Sequence, residues 1–176
     1  MTDKGGKRCV LAHLLALAAA GSATVAAPLH AVEPPPPETF PMETADDAAA
    51  FAAAGFKLAD GDWRGCDDPG TASYVPGQIE QIADLNGDGQ PEAVITEGST
   101  FCYGAAGMGY ALVSRNGAGQ WKLLSKGPGF AGFLKTRGAD NWPDLQVGGP
   151  GFCFPVLRWD GAAYKLHRRE YEGKPC

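Results

Sequence analysis

Oxygen-bearing side chains alternate along one nine-residue stretch, Asp84-Leu85-Asn86-Gly87-Asp88-Gly89-Gln90-Pro91-Glu92. Counted from Asp84, they fall at positions one (Asp84), three (Asn86), five (Asp88) and nine (Glu92). Gly89 at position six permits a tight turn that wraps them, and Gln90 at position seven offers its backbone carbonyl. Calcium takes roughly six to eight oxygen ligands in a flexible shell, so this donor set suits Ca2+. A plain Asn/Asp/Gly turn needs fewer such residues.

The flanks decide what kind of loop this is. An EF-hand carries a bidentate glutamate at position twelve, where this chain has Ile95. Before the loop, Gln78-Ile79-Glu80-Gln81-Ile82-Ala83 alternates in apolar character. After it, Ala93-Val94-Ile95-Thr96 is apolar and β-branched. Both read as strands. A strand, an oxygen-rich loop and a second strand over about twenty residues resemble the FG-GAP (integrin-type, VCBS-like) calcium loop. That resemblance implies blades of a β-propeller or a related β-protein, and a bound Ca2+. Glu92 stands where that family usually has aspartate, and its longer side chain still reaches a cation.

Other chemistry is thin. His167 is the one histidine outside the N-terminal leader, and strand alternation puts it with Lys165 and Arg169 on a solvated basic face. No serine sits in a G-x-S-x-G elbow. The glycine-rich stretch 104–109 lacks the Gly-Lys-Ser/Thr end of a phosphate loop. Carboxylate pairs of the glycosidase kind, such as Glu97 with Asp144, have no supporting spacing. Most of the aromatic load reads as core. Trp142, between Asn141 and Pro143, is the residue expected to be exposed and to offer a ligand surface.

The first 31 residues carry Lys4, Lys7 and Arg8, an apolar run over Val10 to Ala20, and small residues beyond it. This predicts a secretory signal peptide over 1–31, too short in its apolar part to span a bilayer. Removing it leaves 12 basic against 19 acidic side chains, about −7. That balance disfavours nucleic acid as a partner, and no membrane insertion follows once the leader is cut. Residues 32–43 contain four consecutive prolines and read as an extended linker.

Residues 44–176 read as one β-rich domain with a single short N-terminal helix. Thr44 starts the helix, Asp46 and Asp47 lie at its positive end, and Gly55 stops it. A repeat of about fifty residues follows. Pro91-Glu92-Ala93-Val94-Ile95 aligns with Pro143-Asp144-Leu145-Gln146-Val147, and Phe101-Cys102-Tyr103 with Phe152-Cys153-Phe154. The pairs Asn116-Gly117 and Asp160-Gly161 then mark equivalent hairpins. In the second copy Asp140 and Asp144 match Asp88 and Glu92, but Gly138 and Thr136 replace Asn86 and Asp84. Metal is therefore expected in the first copy only.

Cys66, Cys102, Cys153 and Cys176 allow three disulfide pairings in an exported chain. The repeat and the C-terminal position of Cys176 favour Cys66–Cys102 with Cys153–Cys176. The expectation is a mainly β, compact antiparallel domain of two blade-like repeats, periplasmic or secreted. Its role is a binding or accessory one in the cell envelope, toward a protein or glycan ligand. Enzymatic activity is not favoured, and the alternative is a small periplasmic hydrolase with an unlocated site.

Overall fold

The computed structural model describes residues 44–176. The expected signal peptide (1–31) and proline-rich linker (32–43) lie outside the described residues. Helix α1 spans Thr44–Ala54, with Asp46 and Asp47 in its first turn. Gly55 ends it at φ +87°, a left-handed backbone that suits glycine. The Gly55 N–H then bonds the Ala52 carbonyl, and the Phe56 N–H bonds the Phe51 carbonyl. That pair of bonds satisfies two of the helix's orphan carbonyls. Phe56 meets Phe51 edge-on at 5.6 Å, closing the motif with an apolar contact. Strands β1 (Lys57–Ala59) and β2 (Asp62–Arg64) form a short hairpin, and Trp63 stacks on Phe51 at 4.6 Å.

Two antiparallel meanders follow. The first sheet runs β3 (Val75–Ala83), β4 (Glu92–Gly98), β5 (Met108–Arg115) and β6 (Trp121–Pro128) in spatial order. A short helix α2 (Thr100–Tyr103) lies between β4 and β5. The second sheet runs β7 (Phe130–Arg137), β8 (Pro143–Gly148), β9 (Phe154–Trp159) and β10 (Tyr164–Tyr171), and adds β11 (Lys174–Pro175) at its edge. The mainly β fold of two blade-like sheets and one N-terminal helix is thus as the sequence implies.

The layers follow from alternation along the strands. On the first sheet, Ala93, Ile95, Ala111 and Val113 pack against Ala50, Phe51 and Ala54 of α1. Val94, Tyr110 and Leu112 face the other way, onto Trp142, Leu145 and Trp159 of the second sheet's side. The first sheet is therefore buried on both faces, which explains its near-continuous apolar β4 and β5. The second sheet buries Leu145 and Leu157 inward and turns Asp144, Gln146 and Arg158 outward.

The repeat aligns element by element. β4 corresponds to β8, β5 to β9 and β6 to β10, and Pro143–Val147 is a strand like Glu92–Ile95. Asn116 accepts from the amides of Ala118 and Gln120, and Asp160 from those of Ala162 and Ala163. The same side-chain turn thus closes both hairpins.

Candidate metal centre

The β3–β4 connection folds as its spacing demands. Gly87 and Gly89 take φ +83° and +81°, so position six carries the turn. Asp84 draws the loop round itself. Its Oδ1 accepts from the amides of Gly87 (2.7 Å) and Asp88 (3.2 Å), and its Oδ2 from Gly89 (2.8 Å). Asn86 Oδ1 accepts from the Asp88 amide, and its Nδ2 donates to Asp88 Oδ2 at 3.1 Å. Asp88 Oδ1 accepts from the Gln90 amide at 2.8 Å. The side chains at positions one, three and five are thereby bound into one loop.

Glu92 closes the loop from the strand. Its Oε2 accepts from the Leu85 amide and its Oε1 from the Ser114 hydroxyl, each at 2.8 Å. It is only 1% exposed. Burial pushes its carboxyl up to about 7, against the pull of those two bonds, and the nearby Asp88 and Asp84 push the same way. Among the described residues, no cationic side chain pairs with Glu92, Asp84 or Asp88. The oxygens are hard donors of the type calcium prefers, and a divalent cation would relieve that repulsion. Three carboxylates do not close into a cage here. Among the described residues, no three His, Cys, Asp or Glu side chains form a group that could hold a metal ion. A complete shell would need the Asn86 amide oxygen and the Gln90 carbonyl as well.

The second repeat braces this loop. Arg137 donates to the Leu85 carbonyl at 2.9 Å, and Asn141 Nδ2 donates to the Asn86 carbonyl at 2.5 Å. The loop of the second copy has another construction. Asp140 and Asn141 take positive φ, and Asp140 Oδ2 accepts from the Trp159 indole at 3.4 Å. Gly138 is required there, since a Cβ would stand 2.4 Å from the Trp159 carbonyl. At the position equivalent to Glu92, Asp144 is fully buried. It accepts from Arg158 twice (2.8 Å each), from Arg168 (2.9 Å) and from Thr136 (2.5 Å). Burial opposes its charge, yet these donors hold the carboxyl well below the usual range.

The expectation for Trp142 is corrected. Trp142 is not exposed: only 6% of it meets solvent. Its ring packs against Trp159 at 5.6 Å and Tyr164 at 6.2 Å, because the second loop folds inward over the sheet interface. It offers no ligand surface. His167 lies exposed with Lys165 and Arg169, as the alternation implies, although β10 carries a bulge between Leu166 and Arg168. Leu166 itself is 58% exposed. Glu97 and Asp144 form no pair, since each bonds its own set of partners on a different sheet. Both favoured disulfides are present, Cys66–Cys102 and Cys153–Cys176.

Sequence reasoning missed two buried acids. Glu97, 1% exposed, accepts from the Gly65 amide and from the hydroxyls of Tyr74 and Tyr103. Asp68, 3% exposed, accepts from Ser99, Thr71 and the Gly70 amide, which outweigh burial and hold its carboxyl at about 2. Their partners come from distant segments, so no local pattern marks them. No protein-family model, curated protein or solved structure matches the chain. Both disulfides stand, and among the described residues no helix is long and apolar enough to cross a membrane.

Proposed function

We propose that the chain is an exported calcium-binding module of the FG-GAP type, periplasmic or secreted, with a binding or accessory role in the cell envelope. Its partner would be a protein or a glycan. The observation that carries the calcium reading is the loop itself. Asp84, Asn86 and Asp88 are wound round a left-handed Gly89, beside a buried Glu92 that lacks a cationic partner. Asp84, Asn86, Asp88 and Glu92 would hold the ion with the Gln90 carbonyl. The ion would supply charge balance and lock β3 to β4, a structural and not a catalytic service. The two disulfides support an extracytoplasmic setting.

The direct test is calorimetric titration of calcium into the chelator-treated protein, with magnesium as control. Binding that is lost in Asp88→Ala supports the reading. Absence of any heat, together with no metal in the protein as purified, overturns it.

A further inference from the structure

We propose that the cavity beside the C-terminal end of α1 binds a small organic anion with an apolar body. This proposal stands apart from the calcium reading and uses none of its residues. The cavity measures about 340 Å³, at the lower end of ordinary ligand pockets. Ala54, Phe56, Ala111 and Pro128 line it with apolar surface, and the Cys66–Cys102 disulfide closes one side.

Tyr103 forms a wall that is fixed from behind. Its hydroxyl donates to Glu97 Oε2 at 2.5 Å, and Glu97 is held in turn by Gly65 and Tyr74. The ring lies against the Gly109 backbone, where a Cβ would approach it to 2.2 Å. Cys102 ties α2 to Cys66, and the Ser99 hydroxyl caps that helix while donating to buried Asp68. The wall is thus preformed, and a ligand spends little free energy in ordering it.

Charge selects the ligand. Lys126 is the one charged side chain lining the cavity among the described residues. It takes part in no ion pair there, and no carboxylate lines the space. The Glu97 carboxylate is not among the lining groups, and its oxygens already accept bonds from Gly65, Tyr74 and Tyr103. An apolar interior with one ammonium at its rim complements a monoanion such as an aryl or short-chain carboxylate. A cation would meet Lys126, and a neutral ligand would leave it unanswered. Lys126 Nζ also sits near Gly55, at the negative end of α1, so a purely structural role must be separated from ligand binding.

The test is NMR titration of the full chain, disulfides formed, with phenylacetate and its neutral counterpart 2-phenylethanol. Phenylacetate should shift the signals of Tyr103, Ala111 and Lys126. It should bind about fivefold tighter than the alcohol, the size expected of a partly exposed ion pair. Lys126→Met should make the two affinities equal, and Lys126→Arg should keep the preference. Because Lys126 is exposed, both variants should fold. A structural role alone would change melting while leaving any preference between probes untouched. The proposal is overturned if neither probe shifts those signals, if the wild type binds both equally, or if Lys126→Met keeps the preference.

Discussion

At the start of β4, Glu92 receives one backbone amide and one serine hydroxyl. Near the start of β8, Asp144 receives two guanidinium groups and a threonine hydroxyl. The two acids hold one position in two copies of a unit. Their cross-strand partners are equivalent as well: Ser114 on β5 faces Glu92, and Arg158 on β9 bonds Asp144. The first acid is left with its proton held up to about 7, and the second is held ionised. One buried carboxylate can be made tolerable by protonation, by an arginine or by a metal ion. The second copy uses arginine. On the proposed reading, the first uses calcium.

The surroundings of the two acids differ for a related reason. Each sheet has one face carrying this acid. On the first sheet that face packs against the second sheet. On the second sheet no further sheet covers it among the described residues, and Arg158 and Arg168 lie across it instead. Their side chains are 34% and 27% exposed, which lets them pair with Asp144 while keeping part of their hydration. Glu170 and Gln146 extend the network. The opposite face of the first sheet is covered by α1, so the two ends of the stack are closed by unlike means.

Cutting the covalent ties gives the largest effect. Removing the Cys66–Cys102 bridge opens a 36-residue separation, and Cys153–Cys176 a 23-residue one. The chain-entropy estimate is about 3.8 and about 3.4 kcal/mol respectively. Paired Cys→Ala variants, measured by urea unfolding, should both lose stability in that order. Equal stability of either variant with the wild type would show that its unit is held by packing alone.

Protonation is the next lever, with calcium chelated. The folded carboxyl of Glu92 is raised to about 7 from its ordinary 4.5. A raised acid binds its proton more tightly when folded. Its contribution is therefore complete below the unfolded value near 4.5 and is lost as pH rises through about 7. The loss between pH 5 and 8 is on the order of 3 kcal/mol. Glu92→Gln, neutral at every pH, should flatten that slope. Asp144→Asn should leave it in place, since Asp144 titrates far below this window. An identical slope in wild type and Glu92→Gln would place the titration elsewhere.

Both disulfide pairs were legible from the repeat and the terminal position of Cys176, and the strands and the glycine stop of α1 from local spacing. The loop was legible for the same reason, down to the left-handed glycine at position six. Trp142 was misread because its neighbours Asn141 and Pro143 look like a surface turn. The indole it packs against lies seventeen residues on, at Trp159, and beyond it Tyr164 supplies a second ring. The arginine network escaped notice likewise. Arg158 and Arg168 look like solvated strand residues until the sheet sets both against Asp144. The bulge at His167 shifts the alternation that would have placed Arg168 by sequence alone.

Arginine as the charge-balancing device can be broken next. Arg158→Met keeps much of the apolar stem but removes two hydrogen bonds to a buried carboxylate. Arg168 and Thr136 remain, so the cost should be about 2 kcal/mol by thermal or urea unfolding. Ser114→Ala removes the equivalent donor from Glu92 and should cost about 1 kcal/mol at pH 5. A larger cost for Ser114→Ala would reverse the assignment of which acid depends on its cross-strand partner.

The smallest effect separates the two loops most cleanly. Extracellular calcium sites have dissociation constants of about 10⁻⁴ to 10⁻³ M. At about 1 mM free calcium this adds only about 0.4–1.4 kcal/mol to folding stability. Asp84→Asn removes the charge at position one, although the amide oxygen still accepts from part of the loop backbone. It should weaken calcium binding and shrink the calcium-dependent melting shift. Asp140→Asn alters the matching region of the second copy, where Gly138 and Thr136 stand in place of ligands and the Asp140 carboxylate, among the described residues, bonds only the Trp159 indole. It should leave the calcium-dependent shift unchanged. The rise in stability with calcium should also grow as pH passes upward through about 7, because only the ionised Glu92 offers the cation its full charge. A calcium response that survives Asp84→Asn but disappears in Asp140→Asn would assign the cation to the wrong copy, and with it would go the contrast between a metal-balanced and an arginine-balanced acid.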